Sequence, residues 1–514
     1  MTSLGARRWW ALAPLALSGL VVGLDLTVLN VALPTLATDL HASTGDLQWF
    51  ANAYNLVLAA MLLPAGLLGD RFGRKRVLLT ALALFGIASV GCAYAASAGQ
   101  LIAGRALLGL GGAAVLPLCM AMLPVIFAPE ERTRAIAIWV TANAVSFPLG
   151  PIFGGWLLDN FWWGSVFLIN VPVVAVALVA VAILLPESRS ERAPRLDLVG
   201  VVTSSAGLVA LTYGVIEAGE SGWTDPLAVV AMAAGVLLLA GFVRWQRQLS
   251  RRPYGQPLID LELFRSPGFT WGTVLATMST FAMFGFLFTL PQYFQAVGGA
   301  DALGTGLRLL PVIGGLLVGS RVADRLSPRL GVAPTVAVGF GLLAAGLYAG
   351  AASDAGTEYG FTAAWMTVLG AGLGFALPVT MGVALGALSA ERSGVGSALI
   401  QALRQVGGVI GVALLGTVLN ATYRGGLDLA GLPAPAAESV RDSVAGGVAV
   451  AGELASGPLL TSVREAFVHA MDVMLMVCAG VAVLGVALAL LFLPRRPAVA
   501  PVGERGESPQ EVTV

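Results

Sequence analysis

Charge is what this chain has least of. Asp, Glu, Lys and Arg make up 11% of its 514 residues, against about 25% in soluble domains. So little charge cannot cover the surface of soluble domains of this combined length. That excludes a cytosolic enzyme, a disordered scaffold and a nucleic-acid binder. The net charge is +0, so no basic field waits for a phosphate backbone. Cysteine is scarce as well. The three present, Cys92, Cys119 and Cys478, sit in apolar runs. Their odd number supports neither a disulfide framework nor a metal site. Two histidines leave no His-rich metal chemistry. No nucleophile–base pair stands out, and no phosphate-binding Gly loop ends in Lys-Ser or Lys-Thr. Enzyme chemistry and a built-in ATP drive are therefore both set aside.

What the chain has instead is apolar length. Hydrophobic residues make up 57% and the mean hydropathy is +0.84. The 65 glycines suit membrane helices that pack through small residues. A span needs roughly 20 mostly apolar residues, and fourteen runs qualify. They are 10–33, 47–68, 76–96, 101–123, 135–158, 165–185, 197–217, 226–245, 269–291, 303–320, 332–350, 359–382, 395–419 and 473–493. The first follows Arg7 and Arg8 like a signal peptide, but it is too long and lacks a small-residue cleavage site, so it is expected to be a retained helix.

Basic residues orient these runs. With the N-terminus inside, 23 of the 29 Lys and Arg fall on inner segments and none on the six short outer loops. That is the positive-inside pattern, and it predicts cytoplasmic termini and an even span count. The outer segment 420–472 interrupts the rhythm. It is mildly amphipathic around 437–455 and 459–472, and reads either as an outer helical hairpin or as a flexible loop.

The acids single out one position. Of 29 Asp and Glu, only Asp25 lies deep within a run. A carboxylate in hydrocarbon is costly and points to function, because a group there can load and release a proton. The alternative is a helix-packing acid with Thr27 and Asn30 as local partners. Arg105, in the outer part of the fourth run, is the natural partner of Asp25, because a buried guanidinium stays charged. It reads otherwise as a tie between helices. Arg404, flanked by Gln401 and Gln405, is a second deep cation with a gating or a packing role. Arg308 is expected to snorkel.

Several segments carry a resemblance. Residues 66–79 read GLLGDRFGRKRVLL, in the loop joining the second and third runs. Gly66 suits close helix approach, Gly73 a tight turn, and Asp70 charge-assisted hydrogen bonds. The loop resembles the signature loop of the major facilitator superfamily at Gly66, Asp70, Arg71, Gly73, Arg74 and Lys75. A weaker echo, GSRVADRLSPR at 319–329, is the internal repeat expected of such transporters. LDLTVLNVALP at 24–34 contains Asp25 and RALLGLGGAA at 105–114 contains Arg105. Both resemble motifs of drug:proton antiporters with fourteen spans. GPIFGG at 150–155 resembles the motif associated with antiport, through Gly150, Pro151, Gly154 and Gly155, although Ser146 replaces the usual upstream glycine. FLINVP at 167–172 and LRQVGGVIGVALLGT at 403–417 look like the same branch.

The resemblance implies an all-α integral membrane protein with the major facilitator fold. Its parts would be a cytoplasmic N-terminus 1–9, a six-helix bundle 10–185, and a linker 186–268 with two inserted helices. A second six-helix bundle 269–493 and a cytoplasmic tail 494–514 would follow. It also implies proton-coupled efflux of hydrophobic drugs or antibiotics across a bacterial cytoplasmic membrane by alternating access. The loop residues Gly66, Asp70, Arg71, Gly73 and Arg74 would act as a conformational latch. Asp25 and Arg105 would couple to protons, with the proton gradient as energy source and no cofactor or metal.

Candidate drug contacts are Asn52, Tyr54, Asn143, Phe147, Met283, Phe284, Phe288, Gln292, Tyr293 and Gln401, apolar and aromatic groups with a few amides. Some quaternary-ammonium exporters of this group carry further acids in the second, tenth and thirteenth spans. The comparable regions here hold none, so neutral or monocationic lipophilic molecules are the expected substrates. Protons and the lipid bilayer are the other expected partners, nucleic acid is not, and a monomer is expected. A dedicated exporter of one endogenous metabolite, lipid or peptide fits the same sequence.

Overall fold

The computed structural model describes residues 9–127, 129–189, 197–252, 257–388 and 393–493. The expected tails, apart from Trp9, therefore lie outside the described residues. Fourteen helices are long and apolar enough to cross a membrane, and no strand occurs among the described residues. Lipid offers no water to peptide groups, so each crossing segment must satisfy its own backbone as a helix. In order, the spans are Leu12–Asp39, Thr44–Phe72, Arg74–Ala93, Ala98–Ile126, Arg134–Asn160, Ser165–Leu184 and Leu198–Ser221. They continue with Pro226–Ser250, Pro267–Val297, Ala302–Leu330, Val332–Gly350, Tyr359–Gly386, Gly396–Gly426 and Gly457–Phe492. The end of the bundle at the 66–79 loop is called the inner end, after the charge pattern of the sequence.

Polar residues at the helix starts delimit the spans. Ser43 and Asp46 form a reciprocal capping box at the second span, satisfying two free backbone donors. Asp225 followed by Pro226 opens the eighth, and Asp301 caps the tenth. Asp197 caps the seventh through the Gly200 amide and also accepts from Trp245 Nε1 and Gln246 Nε2 at 2.9 and 2.7 Å. That one carboxylate ties the seventh and eighth spans into a hairpin.

The first six spans pack among themselves and the last six do likewise. The bundles meet along the second span against the thirteenth, the fifth against the tenth, and the first against the ninth. Small residues set the closeness. Gly315 and Gly319 of the tenth span face twelfth-span backbone at Thr367 and Ala371, and Gly370 and Gly374 face back toward Val312 and Leu316. This is small-residue packing of membrane helices. The seventh span lies against the second and thirteenth, and the eighth packs chiefly on the seventh. Thr417 Oγ1 donates to the Val215 carbonyl at 2.8 Å and fixes that contact.

Two local expectations change. The stretch 459–472 is no separate outer helix, because Gly457–Phe492 is continuous. No residue after Pro458 breaks it, and Val463, Ala466, Phe467 and Ala470 are buried, so its low hydropathy reflects contact with protein. The outer segment instead forms two short helices, Ala434–Asp442 and Val444–Glu453. A Gly-Pro pair inside a helix is where a kink is expected, so Gly150–Pro151 is the expected break of the fifth span. Its helix instead breaks at Val145, between Pro129–Ala144 and Ser146–Asn160. Pro148 has no N–H for the carbonyl four residues back, and its ring crowds that carbonyl.

Candidate functional site

Asp25 is 2% exposed and Arg105 1% exposed, and the two form an ion pair of 2.5 Å between Oδ2 and Nη1. Four further groups complete the site. Arg105 Nε donates to the Phe50 carbonyl at 2.9 Å, and the guanidinium lies 4.6 Å from the Tyr54 ring centroid. Asn170 Nδ2 reaches both Asp25 Oδ1 at 3.1 Å and Ser89 Oγ at 3.0 Å. Both charges are thus removed from water yet paired and hydrogen-bonded, the condition under which a buried pair persists. The first, second, third, fourth and sixth spans all contribute.

The glycines of 105–114 make this approach possible. A Cβ on Gly109 would meet the Tyr54 carbonyl and one on Gly112 the Tyr54 hydroxyl, while Gly111 lies on Ala81 and Phe85. The 150–155 motif works on the other side of the first span. Gly150 abuts Thr27 Oγ1 and Gly154 abuts Val28. Gly155 lies against the backbone of Ala302 and Leu303, and Gly306 of the tenth span lies against the Pro151 carbonyl. The motif therefore seats the fifth span between the first span and the outer start of the tenth.

Hydrogen bonds close this outer end. Asp159 accepts from the Ala302 and Leu303 amides at 3.1 and 2.9 Å. Gln295 Nε2 donates to the Val31 carbonyl at 2.9 Å, and Thr44 Oγ1 donates to the Asp442 carbonyl at 2.9 Å.

Among the described residues, the 66–79 loop bonds to the first bundle and to the start of the linker that follows it. Asp70 pairs with Arg74 at 2.8 Å. Arg74 also reaches the Ala121 carbonyl and Ser188 Oγ, while Lys75 Nζ donates to the Ala182 carbonyl at 2.7 Å. Gly73 has φ of +105°, so its tight turn needs glycine. Arg71 is exposed beside Phe72. Gly66 differs from expectation: a Cβ there would meet open space, and the close approach falls at Gly69, against Leu118. The helix face turned to the fourth span is set by Gly69, one turn later.

The candidate drug contacts divide. Phe147 is exposed, and Asn143, Phe284 and Gln401 keep partial exposure. Tyr54 belongs to the Arg105 site. Met283, Phe288, Gln292 and Tyr293 are buried, with Gln292 Nε2 on the Phe288 carbonyl and Tyr293 Oη on the Asp354 carbonyl. Asn52 is fully buried with neither amide atom hydrogen-bonded. Arg404 is held by neutral groups: Thr280 Oγ1 at 3.2 Å, Gln401 Oε1 at 2.7 Å and Met381 Sδ at 3.3 Å. Arg308 lies over the Phe294 and Tyr359 rings.

Sequence reasoning missed Ser89 and Asn170. Asn170 had a faint signal, an amide inside an apolar run; Ser89 had none. It also placed Asp472 at a loop end, whereas the carboxylate sits within the continuous last helix.

Residues 15–412 match the family model described as Major Facilitator Superfamily. The chain belongs to the major facilitator superfamily. It is a multi-pass membrane transporter of that superfamily. Three relatives are similar over nearly their whole length. The tetracenomycin C resistance and export protein of Streptomyces glaucescens is 35% identical, covering 96% of this chain and 94% of that one. A multidrug efflux pump of Mycolicibacterium smegmatis is 36% identical over 94% and 96%. A methyl viologen resistance protein of Salmonella typhimurium is 32% identical over 91% and 95%. As a facilitator-type transporter the chain has its carboxylate–guanidinium pair in the first bundle and the 66–79 loop at the junction of its second and third spans.

Proposed function

We propose that this protein exports lipophilic drugs or antibiotics across a bacterial cytoplasmic membrane in exchange for protons, with both termini cytoplasmic. The observation that carries the reading is the buried Asp25–Arg105 pair with its ring of Asn170, Ser89 and Tyr54. A carboxylate so placed has two stable arrangements. Ionised, it is neutralised by Arg105; protonated, it releases the guanidinium to the Phe50 carbonyl and the Tyr54 ring. Proton arrival from outside would thereby loosen the contacts of the first, second and fourth spans. The state described has its outer end closed by Asp159, Gln295 and Thr44, so it is read as inward-facing. In the opposite state Asp70 would exchange Arg74 for a partner in the second bundle and act as the latch.

Drug would lie between the bundles, against Phe147, Phe284, Asn143 and Gln401. The unpartnered amide of Asn52 is a hydrogen-bonding capacity that a substrate can meet. Neutral and monocationic compounds are favoured, because Asp25 alone cannot neutralise two charges beside Arg105. The relative named for methyl viologen resistance makes this the sharpest point of the proposal, since that compound is a dication. The relative named for a single antibiotic favours a second reading, a dedicated exporter of one compound. Everted vesicles with an imposed pH gradient and a panel of dyes and antibiotics test both. Uptake of several unrelated compounds supports multidrug export, uptake of one supports the dedicated reading, and uptake indifferent to the pH gradient refutes proton exchange.

A further inference from the structure

We propose that Asp472 is a second proton-binding carboxylate, housed in a polar corner of the second bundle. This rests on the proton-coupled reading above for its role in transport, though not for proton binding itself. The corner is made where the outer parts of the ninth, eleventh, twelfth and fourteenth spans meet. Three buried polar atoms there have no hydrogen-bond partner: Ser353 Oγ, Trp365 Nε1 and Asp472 Oδ1. Each such atom is destabilising if left unmet, and native proteins carry few of them. Several in one corner mark a place completed by something mobile. Two are donors and one is a carboxylate oxygen, so a proton on Asp472 with intervening water satisfies them together.

The ninth and eleventh spans each pack on both the twelfth and the fourteenth. Tyr293 donates to the Asp354 carbonyl at 3.4 Å. Gly350 packs against the Trp365 ring and against Leu475, one turn beyond Asp472.

The two bundles also correspond. Asp25, Ser89, Arg105 and Asn170 come from the first, third, fourth and sixth spans. Tyr293, Ser353, Thr362 with Trp365, and Asp472 come from the same four places in the second bundle, Ser353 just past its span's outer end. Arg105 and Trp365 each lie about two turns from the outer start of their spans. A neutral indole thus stands where the first bundle has a guanidinium. Nothing fixed at that position balances Asp472, and a proton can.

Further ionisable groups lie around the corner, and of these Glu358 and Glu465 are exposed. Asp354 lies at its outer rim and adds negative charge. Arg308 is stacked on Phe294 and Tyr359. Arg464, on the same helix as Asp472, is bound to the Ala296 carbonyl at 3.1 Å. Tyr423 of the thirteenth span is bound to the Val440 carbonyl, and His469 points outward and is exposed.

The test uses the full-length protein, purified and reconstituted. Infrared difference spectra between acid and neutral pH should contain a protonated-carboxyl band that Asp472→Asn removes and Asp25→Asn leaves. Should Asp472→Asn fail to fold, Thr362→Val and Ser353→Ala are expected to shift the midpoint of that band. In vesicles, the drug gradient at which flux reverses should fall about tenfold per unit of pH gradient in Asp472→Asn, the equivalent of one proton. An unchanged band and midpoint in these variants would overturn the proposal. A lost band with an unchanged reversal gradient would overturn the coupling role. If unmodified protein ignores the pH gradient while the Asp472 band persists, the proton-exchange reading fails and the proton site stands.

Discussion

Asp25→Asn isolates the central pair. The replacement is isosteric, and the new carboxamide can still accept from Asn170. It places an amide or a neutral oxygen opposite Arg105 Nη1, where Asp25 Oδ2 now lies at 2.5 Å. Arg105 keeps the Phe50 carbonyl and the Tyr54 ring but loses its counter-charge. Removing one partner of a buried pair costs about 3–5 kcal/mol, and the neutral contacts that remain set the expectation at the lower end of that range. The functional loss is larger in kind. One proton moved down one pH unit sustains about a tenfold drug gradient, and without the Asp25 carboxyl that proton's factor is lost. Export against a gradient should therefore weaken by about tenfold per pH unit, while equilibration down a gradient and insertion in the membrane persist. The assay is dye accumulation in everted vesicles under an imposed pH gradient, with thermal unfolding in detergent as the stability measure. Arg105→Met in the Asp25→Asn background should recover most of the lost stability and none of the pumping. Accumulation by Asp25→Asn at the unmodified level would refute the assignment of coupling to this pair.

Asp70→Ala should slow turnover several-fold with drug affinity in detergent unchanged; a large loss of affinity at normal turnover contradicts a latch. Gly155→Ala drives a methyl into the Ala302–Leu303 backbone, an overpacking worth about 1–3 kcal/mol, so the outer end should open. A cysteine at Gln295 should then label faster with an impermeant thiol reagent, over the background of buried Cys92, Cys119 and Cys478. Equal labelling in both proteins counts against the closure described. Matched mono- and dicationic dyes in competition should show preference for the former, and Asn52→Asp should narrow the difference; equal transport by the unmodified protein rejects a single-carboxylate cavity. Burial, then Glu438 and Asp46, hold the Asp442 carboxyl above its ordinary value despite Arg424. The folded state therefore binds that proton more tightly, and stability falls as pH rises from the ordinary carboxylate range through the raised value. Asp442→Asn should raise the melting temperature at neutral pH and not at strongly acid pH, and the reverse pattern would reject this.

The span count and the burial of a lone acid, Asp25, were legible from the chain because hydrocarbon imposes a simple rule. Twenty apolar residues cross, and an acid among them needs a reason. The pairing of Asp25 with Arg105 was legible only as a matching of depths. Ser89 and Asn170 carried almost no local signal, because a serine or asparagine inside a membrane helix is ordinary until its neighbours are known. Tyr54 looked like a drug contact, yet it supports the guanidinium, since nothing in a helical sequence says which helix its face will meet. Gly66 and Gly69 lie within one turn of each other, and only the position of Leu118 decides which of them is crowded. Asp472 shows the limit most clearly. Local hydropathy put it at a loop end, because protein contacts tolerate a polarity that lipid does not. Composition and period determine which segments enter the bilayer. Which side chains then meet depends on helix rotation and partner choice, and those are set by packing between residues far apart in the chain.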